Sequence, residues 1–248
     1  MLAAERQARI VQRIERTDHV SVDELAAWLE TSAATIRRDL SGLEQAGLLQ
    51  RVHGGAAALA KRAEAPVPTP EDEALASAVY GRLAGGDAVI LEGRLVMPIV
   101  ARKLVAKPMR TIVVTNQLDI AETLLRGSGI DVIMLGGKLH PAGYTLPQPL
   151  GASDLKFLVA NKAFIEVEGV HGAAGMTTTA VEEARFKHDL LQHALRKTVV
   201  APASRWGLVF SHRIAQVSEV DSWITTRLDS EQRDAAATLT CEIVESAA

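Results

Sequence analysis

The stretch that most constrains this chain is Val20–Gly55, VSVDELAAWLETSAATIRRDLSGLEQAGLLQRVHGG. Ser21 has N-cap chemistry, its side-chain oxygen able to take an orphan helix N–H, and Glu24 stands at the capping-box spacing. Val22, Leu25, Ala26 and Leu29 recur at three- and four-residue steps and give a first helix one apolar face. Glu30 and Thr31 break the pattern, and Ser32 can cap a second helix that runs to about Ala46 before Gly47. On it Ile36, Leu40 and Leu43 face inward, leaving Thr35, Arg37, Arg38 and Ser41 outward or flanking. Leu48-Leu49-Gln50-Arg51-Val52 then reads as a strand and His53-Gly54-Gly55 as a tight wing turn. Helix, turn, helix and hairpin, with Thr and paired Arg at the front of the second helix, fit a winged helix-turn-helix. The fork of Arg matches both phosphate and the guanine edge. Any helical hairpin also has a polar outer face, so the pattern alone leaves a merely solvated surface open.

Length and charge narrow the choices. At 248 residues the chain can form one large domain or two smaller ones with their own cores. Hydrophobic residues make up 48% and charged residues 23%, the balance of a soluble globular protein. The formal net charge of −3 argues against a wholly basic nucleic-acid coat. Through Arg62 nine Lys/Arg stand against eight Asp/Glu, and beyond it eighteen against twenty-two. Attraction to phosphate must therefore be local, and dimerisation would help it. The single cysteine, Cys241, rules out an internal disulfide and a zinc finger. His188 and His193 are five apart and not on one helix face, so no metal spacing is seen. No leader and no apolar run of membrane-spanning length is evident, and a cytoplasmic location is expected.

In chain order, Ala3 to about Arg16 makes an opening helix, and the winged domain closes at Ala56. Residues 57–72 hold Pro66, Pro68 and Pro70, which disfavour helix and favour an extended linker. From Glu73 to Ala248 helices alternate with short apolar runs: Ala88–Leu91, Thr111–Val114, Asp131–Leu135, Lys162–Ile165, Thr198–Ala201, Ser222–Thr225 and Thr240–Val244. Such continuous apolar strands between helices predict a mostly parallel α/β sheet covered on both faces. Ligands in such sheets sit beyond the carboxyl ends of the strands. Glu92-Gly93-Arg94, Thr115-Asn116 and Gly136-Gly137 each follow a strand. Gly175-Met176-Thr177-Thr178-Thr179 leads toward a helix with Glu182, Glu183 and Lys187, and reads as a hydroxyl-rich loop at a positive dipole end. The alternative, that these threonines are only caps and these glycines only turns, stays open for each loop alone; their convergence on one rim favours a pocket.

Thr35-Ile36-Arg37-Arg38-Asp39-Leu40, then Leu43-Glu44, Gly47-Leu48-Leu49 and Arg51-Val52-His53-Gly54-Gly55-Ala56, resembles the N-terminal signature of DeoR-type bacterial transcriptional regulators. The opening Glu5-Arg6-Gln7 with Ile10 and Ile14 is similar to that family's first helix. The resemblance implies a double-stranded DNA operator as partner, with Ser32, Thr35, Arg37, Arg38, Ser41, Arg51, His53 and Gly54 at the interface. In the second region Thr115-Asn116, Leu135-Gly136-Gly137, Lys162-Ala163-Phe164, Gly175-Met176-Thr177-Thr178 and Glu182-Glu183-Ala184 with Lys187 look like motifs of the family's effector domain. That domain is similar in fold to ribose-5-phosphate isomerase and typically binds a phosphorylated sugar or related metabolite. The effector residues implied or suggested here are Glu92, Arg94, Thr115, Asn116, Gly136, Gly137, Thr177, Thr178, Glu182, Lys187 and Arg205.

Two motifs depart from the family. After the first strand it usually has an acidic residue, Gly and a Ser/Thr run that cradles phosphate; here the run is Leu91-Glu92-Gly93-Arg94-Leu95-Val96-Met97. Near the end, Pro202-Ala203-Ser204-Arg205-Trp206-Gly207 stands in place of Asp-Ser-Ser-Lys-Phe-Gly. Lost hydroxyl donors weaken phosphate binding, each charge-assisted bond being worth roughly 1.5–3 kcal/mol. Arg94 either compensates as a bidentate ligand or is a surface residue on a pocket that no longer takes sugar phosphate. The expectation is a regulator, most often a repressor in this family, that senses a phosphosugar or related metabolite through an atypical phosphate loop. Homodimer or homotetramer assembly is expected, and no cofactor, metal or catalytic set. The competing readings are a DNA-binding protein whose second domain serves only assembly, and a sugar-phosphate isomerase-like enzyme.

Overall fold

The computed structural model describes residues 3–17, 19–46, 48–52, 54–57, 67–139, 145–146 and 155–246; Gly47, His53, Pro66 and the rest of the expected linker at 58–66 lie outside the described residues. The chain divides into two compact units, Met1–Arg62 and Ala63–Ala248.

In the first unit α1 (Ala3–Thr17) is followed by β1 (His19–Ser21), α2 (Val22–Trp28), α3 (Ala33–Gln45), β2 (Gln50–Val52) and β3 (Gly55–Ala57). Both halves of the expected capping box form: the Glu24 amide donates to Ser21 Oγ at 3.2 Å, and the Ser21 amide donates to the Glu24 carboxylate at 2.8 Å. Ser32 caps α3 by accepting from the Thr35 amide at 3.1 Å. Ile10, Ile14, Leu25, Ile36 and Leu40 are fully buried between the helices. The wing is an antiparallel sheet of order β1-β3-β2, turned at Gly54, whose φ of 81° suits glycine. β1 is too short to show an alternating pattern in sequence. Asp39 on α3 is buried, and Arg6 grips it through Nε at 2.6 Å and Nη2 at 3.2 Å, joined by Gln7 Nε2 at 3.2 Å. This clamp seats the helix that carries Arg37 and Arg38 upon α1.

The second unit opens with α4 (Pro70–Tyr80), three residues before the helix expected from Glu73. Proline costs nothing at a first helical position, where its missing N–H would be unpaired anyway. Thr69 and Asp72 then close a capping box. There follow β4 (Ala88–Glu92), α5 (Met97–Ala106), β5 (Thr111–Thr115), α6 (Leu118–Leu124), β6 (Ile130–Met134), and the two-residue pair β7 (Lys138–Leu139) and β8 (Thr145–Leu146). Then come β9 (Ala160–Glu166), β10 (Gly169–His171), β11 (Gly175–Thr178), α7 (Val181–Gln192), β12 (Ala194–Val200), β13 (His212–Ala215), β14 (Ser222–Thr225), α8 (Ser230–Ala236) and β15 (Glu242–Glu245). The main sheet has seven strands in the order β15-β14-β12-β9-β4-β5-β6, with parallel pairing throughout. Val89 and Leu91 pack with α4, α5 and α6 on one face, while Ile90 joins α7 and the small sheet β10-β11-β13 on the other.

The threonines expected in a loop before the helix are instead strand residues. Thr177 and Thr178 belong to β11, where their β-branched side chains fit the pleat and are fully covered. From β4 the chain winds outward through β5 and β6; from β9 it winds the other way through β12, β14 and β15. The winding reverses between β4 and β9, and a crevice opens outside the carboxyl ends of strands at such a reversal.

Leu40 is fully buried in the first unit, so Leu40→Ala is expected to cost about 2–5 kcal/mol. Urea unfolding of the full chain, followed by Trp28 fluorescence against a Trp206/Trp223 background, checks this as a fall in the midpoint of the first transition.

Candidate functional site

On the first unit the exposed face of α3 carries Arg37 and Arg38. Ser32 is committed to capping, its Oγ 2.9 Å from Thr35 Oγ1. Ser41 Oγ donates to the Arg37 carbonyl and accepts from Arg51 Nη1 at 3.0 Å, while the Arg51 amide donates to Glu44 Oε1 at 3.1 Å. The wing strand is thus tied to α3 by a side chain that can also meet phosphate. Arg9 and Arg13 of α1 lie over the Trp28 ring at 5.8 and 5.1 Å. His53, named from sequence for the same face, lies outside the described residues.

On the second unit the reversal between β4 and β9 forms a cleft of about 280 Å³. Glu92 ends β4 and Glu166 ends β9, so the register of the two strands delivers two carboxylates to one rim. Gly93, Arg94, Leu95, Val96, Gln117, Glu168, Glu183, Lys187 and Arg205 complete most of the wall, with Asp72 from α4.

The Glu166 carboxylate is held by the loop that enters α5. Its Oε1 accepts from the amides of Val96 at 2.7 Å, Met97 at 3.0 Å and Leu95 at 3.3 Å; its Oε2 accepts from Leu95 at 3.1 Å and Arg94 at 3.2 Å. Val96 makes no side-chain cap of its own. Four N–H groups at a helix start would otherwise lack intrahelical partners, and an anion there gains from the dipole as well. Gly93 is required by the approach: its φ is 150°, and a Cβ would fall 2.2 Å from the Glu166 carboxyl carbon.

Below this lies Lys187, 6% exposed, with Nζ donating to the Glu166 carbonyl at 2.8 Å and facing Glu92 Oε2 at 3.4 Å. Burial pulls Lys187 down, but Glu92, Glu183 and Glu166 outweigh it and hold the ammonium above its ordinary value. Burial pushes Glu92 up to about 7, against Lys187 and with help from Glu166 and Glu183. Burial likewise pushes Glu166 up, opposed by the amides of Met97, Leu95 and Val96. Burial also pushes on Glu168, yet the Thr179 amide at 2.7 Å and the Thr178 hydroxyl at 3.0 Å hold it below the usual carboxylate range.

Of the residues singled out from sequence, Glu92, Arg94, Lys187 and Arg205 meet in the cleft. Thr115 and Asn116 are buried and do not line it, Thr115 Oγ1 accepting from the Gln117 amide, and Gln117 is the residue that reaches the wall. Gly136 and Gly137 are exposed beyond β6, the edge strand, away from the reversal. Thr177 Oγ1 accepts from the Phe210 amide, and Thr178 serves Glu168, so neither hydroxyl is offered to a ligand. Glu182 is exposed, whereas its neighbour Glu183 faces the cleft. Sequence reasoning missed Glu166 and Glu168, whose signal was the acid-Val-acid run directly after the apolar strand run ending at Ile165.

Residues 6–62 match the family model described as the DeoR-like helix-turn-helix domain, and residues 69–227 match the DeoR C terminal sensor domain. The chain is 32% identical over 242 residues to the HTH-type transcriptional regulator GlpR of Haloferax volcanii, covering 94% of each chain. It is 27% identical to the putative aga operon transcriptional repressor of Escherichia coli O157:H7, over 88% of this chain and 84% of that one. Ribose 5 phosphate isomerase A from Neisseria gonorrhoeae superposes with a TM-score of 0.40 at 11% identity, over 54% of this chain and 52% of that one.

Because Glu92 is raised, the folded state holds a proton that the unfolded chain releases near pH 4.5, so stability falls as pH rises from there to about 7. Glu92→Gln stays neutral and lacks this slope. Urea midpoints at pH 5, 6, 7 and 8 are expected to converge on or cross those of the variant, with a pH-dependent difference on the order of 3 kcal/mol at most. Parallel pH profiles would exclude a raised Glu92.

Proposed function

Since the chain belongs to the DeoR family of transcriptional regulators, we propose that it grips a repeated operator through α3 and the wing and alters that grip when a small sugar-class metabolite enters the cleft. Repression, assembly as a homodimer or homotetramer, and a cytoplasmic location are parts of the same proposal. The observation that carries the DNA side is the pair Arg37 and Arg38, exposed on α3, while Ser32 caps that helix and its Ser41 is bridged to Arg51 of the wing strand. A rigid helix with two exposed forked cations suits a major groove. One winged head covers little surface, and with a barely positive charge balance it needs a second copy for tight binding.

Binding rather than turnover is supported by how the cleft's acid–base groups are engaged. Glu166 is saturated by amides, and Lys187 is fixed between Glu166 and Glu92. No group of three or more His, Cys, Asp or Glu among the described residues is placed to hold a metal ion. No helix of the described residues is long and apolar enough to cross a membrane. Coupling between a ligand in the cleft and DNA affinity is ordinarily worth about 1–3 kcal/mol.

Selection of bound duplexes from a random-sequence pool, followed by anisotropy titrations across a salt series, tests the operator reading. Enrichment of a repeated half-site is expected. Arg37→Ala or Arg38→Ala is expected to cost about 1–3 kcal/mol where the side chain reads a base, or to lower the salt slope by about one where it meets phosphate. Failure to enrich any sequence, with the chain folded, would retire the operator reading. A panel of sugars and polyols that leaves the titrations unchanged would leave the second unit an assembly role only.

A further inference from the structure

The loop 93–97 has lost the hydroxyls of a phosphate cradle, but its backbone donors remain, and all four successive amides from Arg94 to Met97 point at one place. That place is taken by a carboxylate of the same chain. The contact is built from both sides: Gly93 leaves room that a Cβ would fill, and Lys187 pins the Glu166 carbonyl, so the side chain starts from a fixed backbone. Two oxygens of Glu166 accept five hydrogen bonds, which satisfies the helix start without any ligand.

We infer that Glu166 is the specificity-determining residue of the cleft, a resident anion that occupies the amide seat and restricts the ligand to one bringing hydroxyl donors and no phosphate. The inference rests on the reading of the cleft as the ligand site. A phosphorylated ligand would have to expel a tethered carboxylate that needs no association step, and then share the cleft with it. The remaining wall gives an anion little net attraction, since Asp72, Glu168 and Glu183, joined by Glu92 where it is ionised, stand against Arg94, Lys187 and Arg205. What the wall does offer is acceptors: Glu92 Oε2 meets Lys187 only at 3.4 Å, long for a charge-assisted bond, and has no other hydrogen-bond partner among the described residues. A polyol hydroxyl is the donor such an atom suits, and a buried acceptor rejects a ligand that lacks the matching donor.

The test removes the resident anion and asks whether an external one replaces it. Full-length wild type, Glu166→Ala and Glu166→Gln are compared by thermal shift and calorimetry with inorganic phosphate as the probe, at fixed ionic strength. Glu166→Ala is expected to melt below wild type and to be rescued by phosphate, binding it at least tenfold more tightly. Glu166→Gln keeps an acceptor in the seat without the charge and is expected to fall between the two; it carries the comparison if the alanine variant does not fold. Equal phosphate affinity in wild type and in the folded variants would overturn the inference, as would no phosphate binding to any of them. A variant that gains phosphate while phosphate leaves its DNA titration unchanged would keep the seat and retire the sensing role of the cleft.

Discussion

The Glu166 carboxylate is the point on which the second unit's working end depends. It stands at the end of β9, yet its partners belong to the loop between β4 and α5, so one side chain joins the two strands at which the winding reverses to the helix that covers them. A helix start with apolar residues at Leu95, Val96 and Met97 has no local means of satisfying its amides. The cap therefore comes from elsewhere in the chain. Lys187 extends the same connection to α7 on the opposite face of the sheet, through the carbonyl of the very residue whose side chain does the capping. Helices on both sides of the sheet are thereby fixed against one residue.

The first unit could be read from sequence because its determinants are local. Ser21 with Glu24, and Ser32 with Thr35, sit three residues apart, and the apolar faces repeat within each helix. Strands of the second unit were legible for a related reason: strands covered on both faces are apolar throughout, as Val89, Ile90 and Leu91 are. The cleft was only half legible. Glu92, Arg94, Lys187 and Arg205 were named because their side chains carry chemistry, and they do meet. Glu166 was not, because its partners are backbone amides 69 to 72 residues away, and backbone donors leave no trace in a list of side chains. Thr177 and Thr178 misled for the opposite reason. Their hydroxyls suggested a loop that offers donors, but β-branched residues suit a strand equally well, and the small sheet β10-β11-β13 has consumed both. The helix start at Pro70 shows the same competition, proline being both a linker residue and a good first residue of a helix.

The DNA-binding unit illustrates how little net charge a specific surface needs. Its basic and acidic residues nearly cancel, but several acids are spent internally: Asp39 on Arg6 and Gln7, Glu24 on Ser21, Glu44 on the Arg51 amide. These contacts fix where the negative charges sit without removing them, while Arg37 and Arg38 face outward. The field that matters to a polyanion is set by where the charges of both signs sit, and the total charge conceals it.

The seat at α5 and its occupant also constrain how this sequence could have arisen. Gly93 with the amides of 94–97 is one half of the arrangement and Glu166 the other, and each half is a liability alone: bare amides at a covered helix start, or a carboxylate pressed into a cleft that already holds four others. A history in which either half changed first must have passed through a form in which something else filled the gap. The two positions are therefore expected to be epistatic, and an inventory of related sequences should show residue 166 and the loop at 93–97 varying as a unit although they are far apart in the chain.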